Sequence, residues 1–131
     1  MTESSAVPSK AMLWTGRVLS ALPVLALVMS ATMKLTHNPA VIEGFAKFGY
    51  SESSLTPIGL VELLCALLYA IPQTSVLGAI LVTGYLGGAV ATHARIGDVF
   101  VAPLLLGVLP WAGLLLRDSR LRAFLPLRRN P

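Results

Sequence analysis

Residues 84–98 read GYLGGAVATHARIGD, and their two halves point in different directions. The first half closes an apolar run, residues 75–91, with glycines at the spacing that lets membrane helices approach closely. The second half places His93, Arg95 and Asp98 within six residues. A run near 20 apolar residues is what a helix needs to span a hydrocarbon core. The stretch therefore predicts a membrane helix that ends in a polar cluster, and the rest of the chain supports it.

Three further apolar runs stand out, at residues 11–33, 57–71 and 100–116. Hydrophobic residues make up 55% of the 131 and charged residues only 12%, about half what a soluble domain carries. Mean hydropathy is +0.75. A soluble chain of this size has no core large enough for so much apolar surface. The expected fold class is all-α: a four-helix transmembrane bundle spanning residues 11–116. Residues 1–10 and 117–131 are its N-terminal tail and basic C-terminal tail. The second run is the shortest, 17 residues when extended back to Leu55, and a re-entrant helix is the alternative there. The first run is too long and lacks the small-residue site of a cleaved signal, so it reads as a retained helix bent at Pro23.

Between the first two spans, Asn38-Pro39 is a cap followed by proline at the first helical position. Val41, Ile42, Phe45 and Phe48 recur at helical spacing and Gly49 can end the helix. A short amphipathic interfacial helix is expected here. Four spans put both termini on one side. That side would hold Lys10, Arg17, Arg117, Arg120, Arg122, Arg128 and Arg129, against Lys34, Lys47 and Arg95 on the other. The positive-inside rule then makes the termini cytoplasmic, in a multi-pass protein of the plasma membrane. The basic tail has no aromatic or glycine pattern for bases, so its expected partner is anionic membrane lipid and not nucleic acid.

On this topology the polar residues of remote segments meet in one outer layer: Lys34 at the end of span one, Glu62 inside span two, His93 and Arg95 closing span three, Asp98 opening the turn to span four. A carboxylate in hydrocarbon must be paired or neutralised, so Glu62 should face the bundle interior. Two readings stay open for it: a ligand-orienting or proton-exchanging group, or a buried ion-pair anchor that fixes helix register. Cys65 and Tyr69 share its helical face. Cys65 reads as a small core hydrophobe and Tyr69 as an interfacial anchor. Gly84, Gly87 and Gly88 read as helix-packing positions, against a neighbour in this chain or in a second copy as a homodimer. His37 and His93 have no carboxylate pattern to support a metal or haem site, and no catalytic triad can be made out. A single cysteine excludes an internal disulfide.

Residues 84–98 with the following VFVAPLLLGVLPW and Arg117-Asp118, the SATMKL exit of span one and the GLVE start of span two together resemble the DoxX-like family of small four-helix membrane proteins. The resemblance runs from about Leu13 to Leu127. It implies a membrane bundle associated with redox systems, the family's name coming from a subunit of a quinone-linked thiosulfate oxidation. It also implies that Lys34, Glu62, His93, Arg95 and Asp98 hold the family's polar positions. The expectation is an accessory subunit beside a redox-enzyme partner, with a quinone as the candidate cofactor. The alternative is a stand-alone membrane enzyme or a carrier for a hydrophobic small molecule, built around Glu62. The missing cysteine pair argues against direct thiol–disulfide chemistry.

Overall fold

The computed structural model describes residues 7–124; Arg128 and Arg129 of the basic tail lie outside the described residues. Helix α1 (Lys10–Leu35) starts where the Ser9 side chain accepts a hydrogen bond from the Met12 amide at 3.2 Å, and it runs through Pro23. Helix α2 (Pro39–Phe48) is the short helix read from the sequence. The Asn38 side chain accepts from the Ala40 amide at 3.0 Å, and Gly49 ends the helix in the left-handed region at φ 88°. That conformation favours glycine because a Cβ would crowd the following carbonyl. None of the residues of α2 is buried.

Helix α3 (Leu55–Ala70) is preceded by a 3-10 turn, Glu52–Ser54, which extends the second span to 19 residues. A second 3-10 turn, Pro72–Thr74, leads into α4 (Ser75–Arg95). Helix α5 (Val101–Arg117) has 17 residues, so the fourth span is the shortest and not the second. The first part of the basic tail folds as one more short helix, α6 (Ser119–Phe124).

Helix α1 packs on α3 and α5, and α4 packs on the same two, so the four spans form a square with α1 and α4 at opposite corners. Leu27, Cys65, Ala66, Tyr69, Ala79, Val82, Leu86 and Leu114 fill its centre. Outside, Leu25 is 67% exposed, Met29 65% and Ile80 54%. Apolar residues on both the inner and outer faces of every long helix are stable only with lipid as the outer solvent. The chain is a membrane protein.

Close helix approach comes from glycines other than those the sequence pattern singled out. At Gly16 an added Cβ would lie 2.9 Å from the Gly113 carbonyl oxygen, and at Gly113 the same distance from the Gly16 carbonyl. This is where α1 and α5 touch backbone to backbone. Gly78 meets the backbone of Tyr69 between α3 and α4. By contrast, a Cβ at Gly84, Gly87 or Gly88 meets nothing within 4 Å among the described residues. Tyr69 also departs from expectation. It is buried and not part of an interfacial belt, its hydroxyl 2.8 Å from both the Pro110 carbonyl oxygen and Ser20 Oγ. Ser20 donates in turn to the Gly16 carbonyl at 2.8 Å. A buried phenol needs such partners, and this one ties α3 to α1 and α5 at mid-bundle.

Candidate functional site

The last turn of α1 carries Lys34 to the inner face of the bundle, because residues 20, 23, 27, 31 and 34 share the buried stripe of that helix. Glu62 lies seven residues into α3, about 10 Å along its axis, on the stripe that also holds Gly59, Cys65 and Tyr69. Gly59 lets α1 come close: a Cβ there would lie 3.1 Å from Lys34 Cβ. Lys34 Nζ donates to Glu62 Oε2 at 2.8 Å and to Ser30 Oγ at 2.6 Å. The two charged side chains are 9% and 3% exposed. The ammonium also stands 5.7 Å from the centroid of the Phe45 ring on α2. Two ions taken out of water this fully persist only because each neutralises the other.

Phe45, whose ring faces the ammonium, and Tyr85 of α4 line a cavity of about 240 Å³ under α2. Phe48, Tyr50 and Ile58 form its apolar and aromatic wall; Gly88, Ala89, Thr92 and His93 continue the α4 side. The Phe48 and His93 rings are 4.7 Å apart, and Phe45 meets both Phe48 and Tyr50. His93 Nδ1 donates to the Ala89 carbonyl at 2.7 Å, an i to i−4 bond that fixes the ring and its tautomer. Thr92 Oγ1 donates to the Gly88 carbonyl at 2.8 Å.

The polar residues predicted from the sequence therefore occupy different places. Lys34 and Glu62 meet directly, and His93 lines the neighbouring cavity. Arg95 sits at the rim, where its Nη2 donates to the Phe48 carbonyl and so holds the C-terminal end of α2. That contact sets a cation against exposed carbonyls at a helix end. Asp98 is exposed and accepts from the Val99 amide at 2.8 Å, a cap of its own loop rather than a partner of Glu62. His37, at φ 51°, bridges Glu52 at 3.1 Å and Thr56 at 3.0 Å, and so joins the N-terminal side of α2 to the start of α3.

Tyr85, Ser30 and the aromatic wall were missed in the sequence reading. Ser30 stands four residues before Lys34, the spacing at which a helical serine can reach an ammonium. Tyr85 is a phenol within an apolar helix, which requires a hydrogen-bond partner and was a usable signal.

No curated protein and no solved structure gives a significant match to the chain. A family model does match, that of the DoxX-like family, over residues 18–113. The match runs from the third turn of α1 to the last turn but one of α5 and takes in most of the bundle, with Lys34, Glu62, Tyr85 and His93. The chain belongs to the DoxX-like family of membrane proteins.

Proposed function

We propose that the protein is a quinone-binding accessory subunit of a membrane redox system, which holds the ring in the cavity under α2. The observation that carries this reading is an aromatic cavity lined by Tyr85 and by Phe45, whose ring faces a buried ion pair. A flat ring suits the wall of Phe48, Tyr50 and Ile58, since offset and edge-on contacts between rings are favourable. The volume of about 240 Å³ suits one ring better than a whole prenylated molecule. Gly88 lines the cavity and leaves space where a side chain would stand, and Gly84 lies one turn below it on the same helix. An isoprenoid tail would follow that groove toward lipid.

In this arrangement the Tyr85 hydroxyl is the donor available to a quinone carbonyl oxygen, while His93, whose Nδ1–H is held by Ala89, presents Nε2 as an acceptor for a hydroxyl of the reduced quinol. The Lys34–Glu62 pair, facing Phe45, fixes the local field. A bound quinone supplies two-electron redox chemistry; the chain's own residues bind it and orient it. A carboxylate already committed to an ammonium at 2.8 Å supports a positioning role over general acid–base catalysis by a stand-alone enzyme. The redox partner would be a separate protein. The charge distribution supports cytoplasmic termini in a plasma membrane, with the cavity in the outer half.

The test is co-purification. Wild type, Tyr85→Phe and Glu62→Gln would be extracted in mild detergent and their small molecules identified by mass spectrometry. The expected result is an isoprenoid quinone enriched with wild type and depleted from both folded variants. Only bulk lipid in all three samples would defeat the proposal.

A further inference from the structure

At the other end of the bundle, where α1 begins and α5 ends, a second cavity of about 380 Å³ has a different chemistry. Pro72 and Ser75 line it from the α3–α4 turn, Leu114 and Arg117 from the last turn of α5, and Asp118, Ser119 and Arg120 from the start of α6. Arg117 lays its stem over Gly16 and donates from Nε to the Gly113 carbonyl at 3.3 Å; among the described residues its terminal nitrogens make no hydrogen bond. Arg120 lines the same cleft. The one carboxylate present, Asp118, turns Oδ1 back to its own helix, accepting from the Arg120 amide at 2.9 Å and lying 3.4 Å from Arg120 Nε. Two guanidiniums against one locally engaged carboxylate leave the cleft cationic.

We propose that this cleft binds the phosphate of an acidic phospholipid. Guanidinium is the side-chain group best matched to phosphate oxygens, which it meets through paired N–H donors. Depth also fits: the cleft opens where α5 ends and α6 begins, the level at which a span gives way to headgroups. The source of the phosphate follows from what surrounds it. Ile71 is 47% exposed and directly precedes Pro72, while Val76 follows Ser75 and is also exposed. These residues give acyl chains an apolar surface beside the headgroup cleft, which a free phosphate would not use. Leu121 on α6 packs against the core cluster, so α6 is anchored over the cleft. The proposal does not depend on the quinone reading, which concerns the opposite end of the bundle.

The test uses the full chain in phosphatidylcholine bilayers doped with phosphatidylglycerol, followed by native mass spectrometry of the released protein. Wild type should retain phosphatidylglycerol in preference to phosphatidylcholine. The double substitution Arg117→Gln with Arg120→Gln should lower that preference about tenfold to thirtyfold, the effect of two cations near a charged headgroup. Arg17→Gln with Arg122→Gln removes the same charge without touching the cleft and should leave the preference unchanged. An equal loss in both pairs would overturn the site in favour of diffuse attraction. If the Arg117 variant does not fold, as judged by its circular dichroism, Arg120→Gln with Ser119→Ala is compared with Arg122→Gln alone, one charge removed in each. In a parallel arm, inorganic phosphate is added to the protein in detergent. Thermal stabilisation as large as that from a short-chain phosphatidylglycerol would refute the lipid as the source.

Discussion

Removing the carboxylate of Glu62 should unfold the bundle far more readily than removing both members of its ion pair. In Glu62→Ala the Lys34 ammonium keeps Ser30 Oγ at 2.6 Å but loses its only counter-charge among the described residues, in a place where its side chain is 9% exposed. A buried charge left without its partner costs about 3–5 kcal/mol. That corresponds to about two to four powers of ten in the unfolding equilibrium. The double substitution Lys34→Met with Glu62→Leu removes both desolvation penalties and fills similar volume, so its stability should lie within about 1–2 kcal/mol of wild type. Equilibrium unfolding in mixed detergent micelles, followed by circular dichroism, measures all of these, and Lys34→Met alone and Glu62→Leu alone close the double-mutant cycle. The reasoning fails if Glu62→Ala matches wild type, or if the double variant is as unstable as the sum of the single ones.

Other expectations follow from the same contacts. Tyr69→Phe should cost about 0.5–1.5 kcal/mol, since it removes the hydroxyl that reaches Pro110 and Ser20 but leaves the ring in place; the same unfolding assay reads it. Gly113→Leu should be strongly destabilising, because α1 and α5 touch at their backbones there. Gly84→Ala and Gly87→Ala should instead leave the monomer unchanged or raise its stability by about 0.5–1 kcal/mol, as alanine does in an open helix interior. If these last variants lower the sedimentation mass of the detergent-purified protein, the glycine face serves a second copy of the chain. Arg95→Gln should release the C-terminal end of α2, seen as faster hydrogen exchange across residues 39–48 with no change in α3.

The spans, the interfacial helix and the interior placement of Glu62 were legible because hydropathy and capping are local properties. Asn38-Pro39 and Gly49 bracket α2 by chemistry that acts within a few residues. What escaped the sequence reading depends on how helices register against one another. The G-x-x-x-G spacing at Gly84 and Gly88 announces a smooth face but not what lies on it. The actual backbone contacts involve isolated glycines, Gly16 and Gly113, whose meeting no local pattern records. Tyr69 looked interfacial because its depth was counted along one helix; its partners Ser20 and Pro110 belong to two others. Arg95 and Asp98 were grouped with Glu62 by sidedness alone, and side chains at one depth can still face different directions around a bundle.

The helices differ greatly in length. The 26 residues of α1 reach about 39 Å, whereas the 17 of α5 reach about 25 Å. A hydrocarbon core is about 30 Å thick, and each ångström of mismatch costs a fraction of a kcal/mol. Arg17 and Lys34 stand inside the two ends of α1, so its surplus length extends into the headgroups while lipid thins beside α5. The protein thereby carries a gauge of membrane thickness. Reconstituted into lipids of increasing chain length, it should lose stability first along the α5 edge, and in a cell it should favour the thinner regions of its membrane.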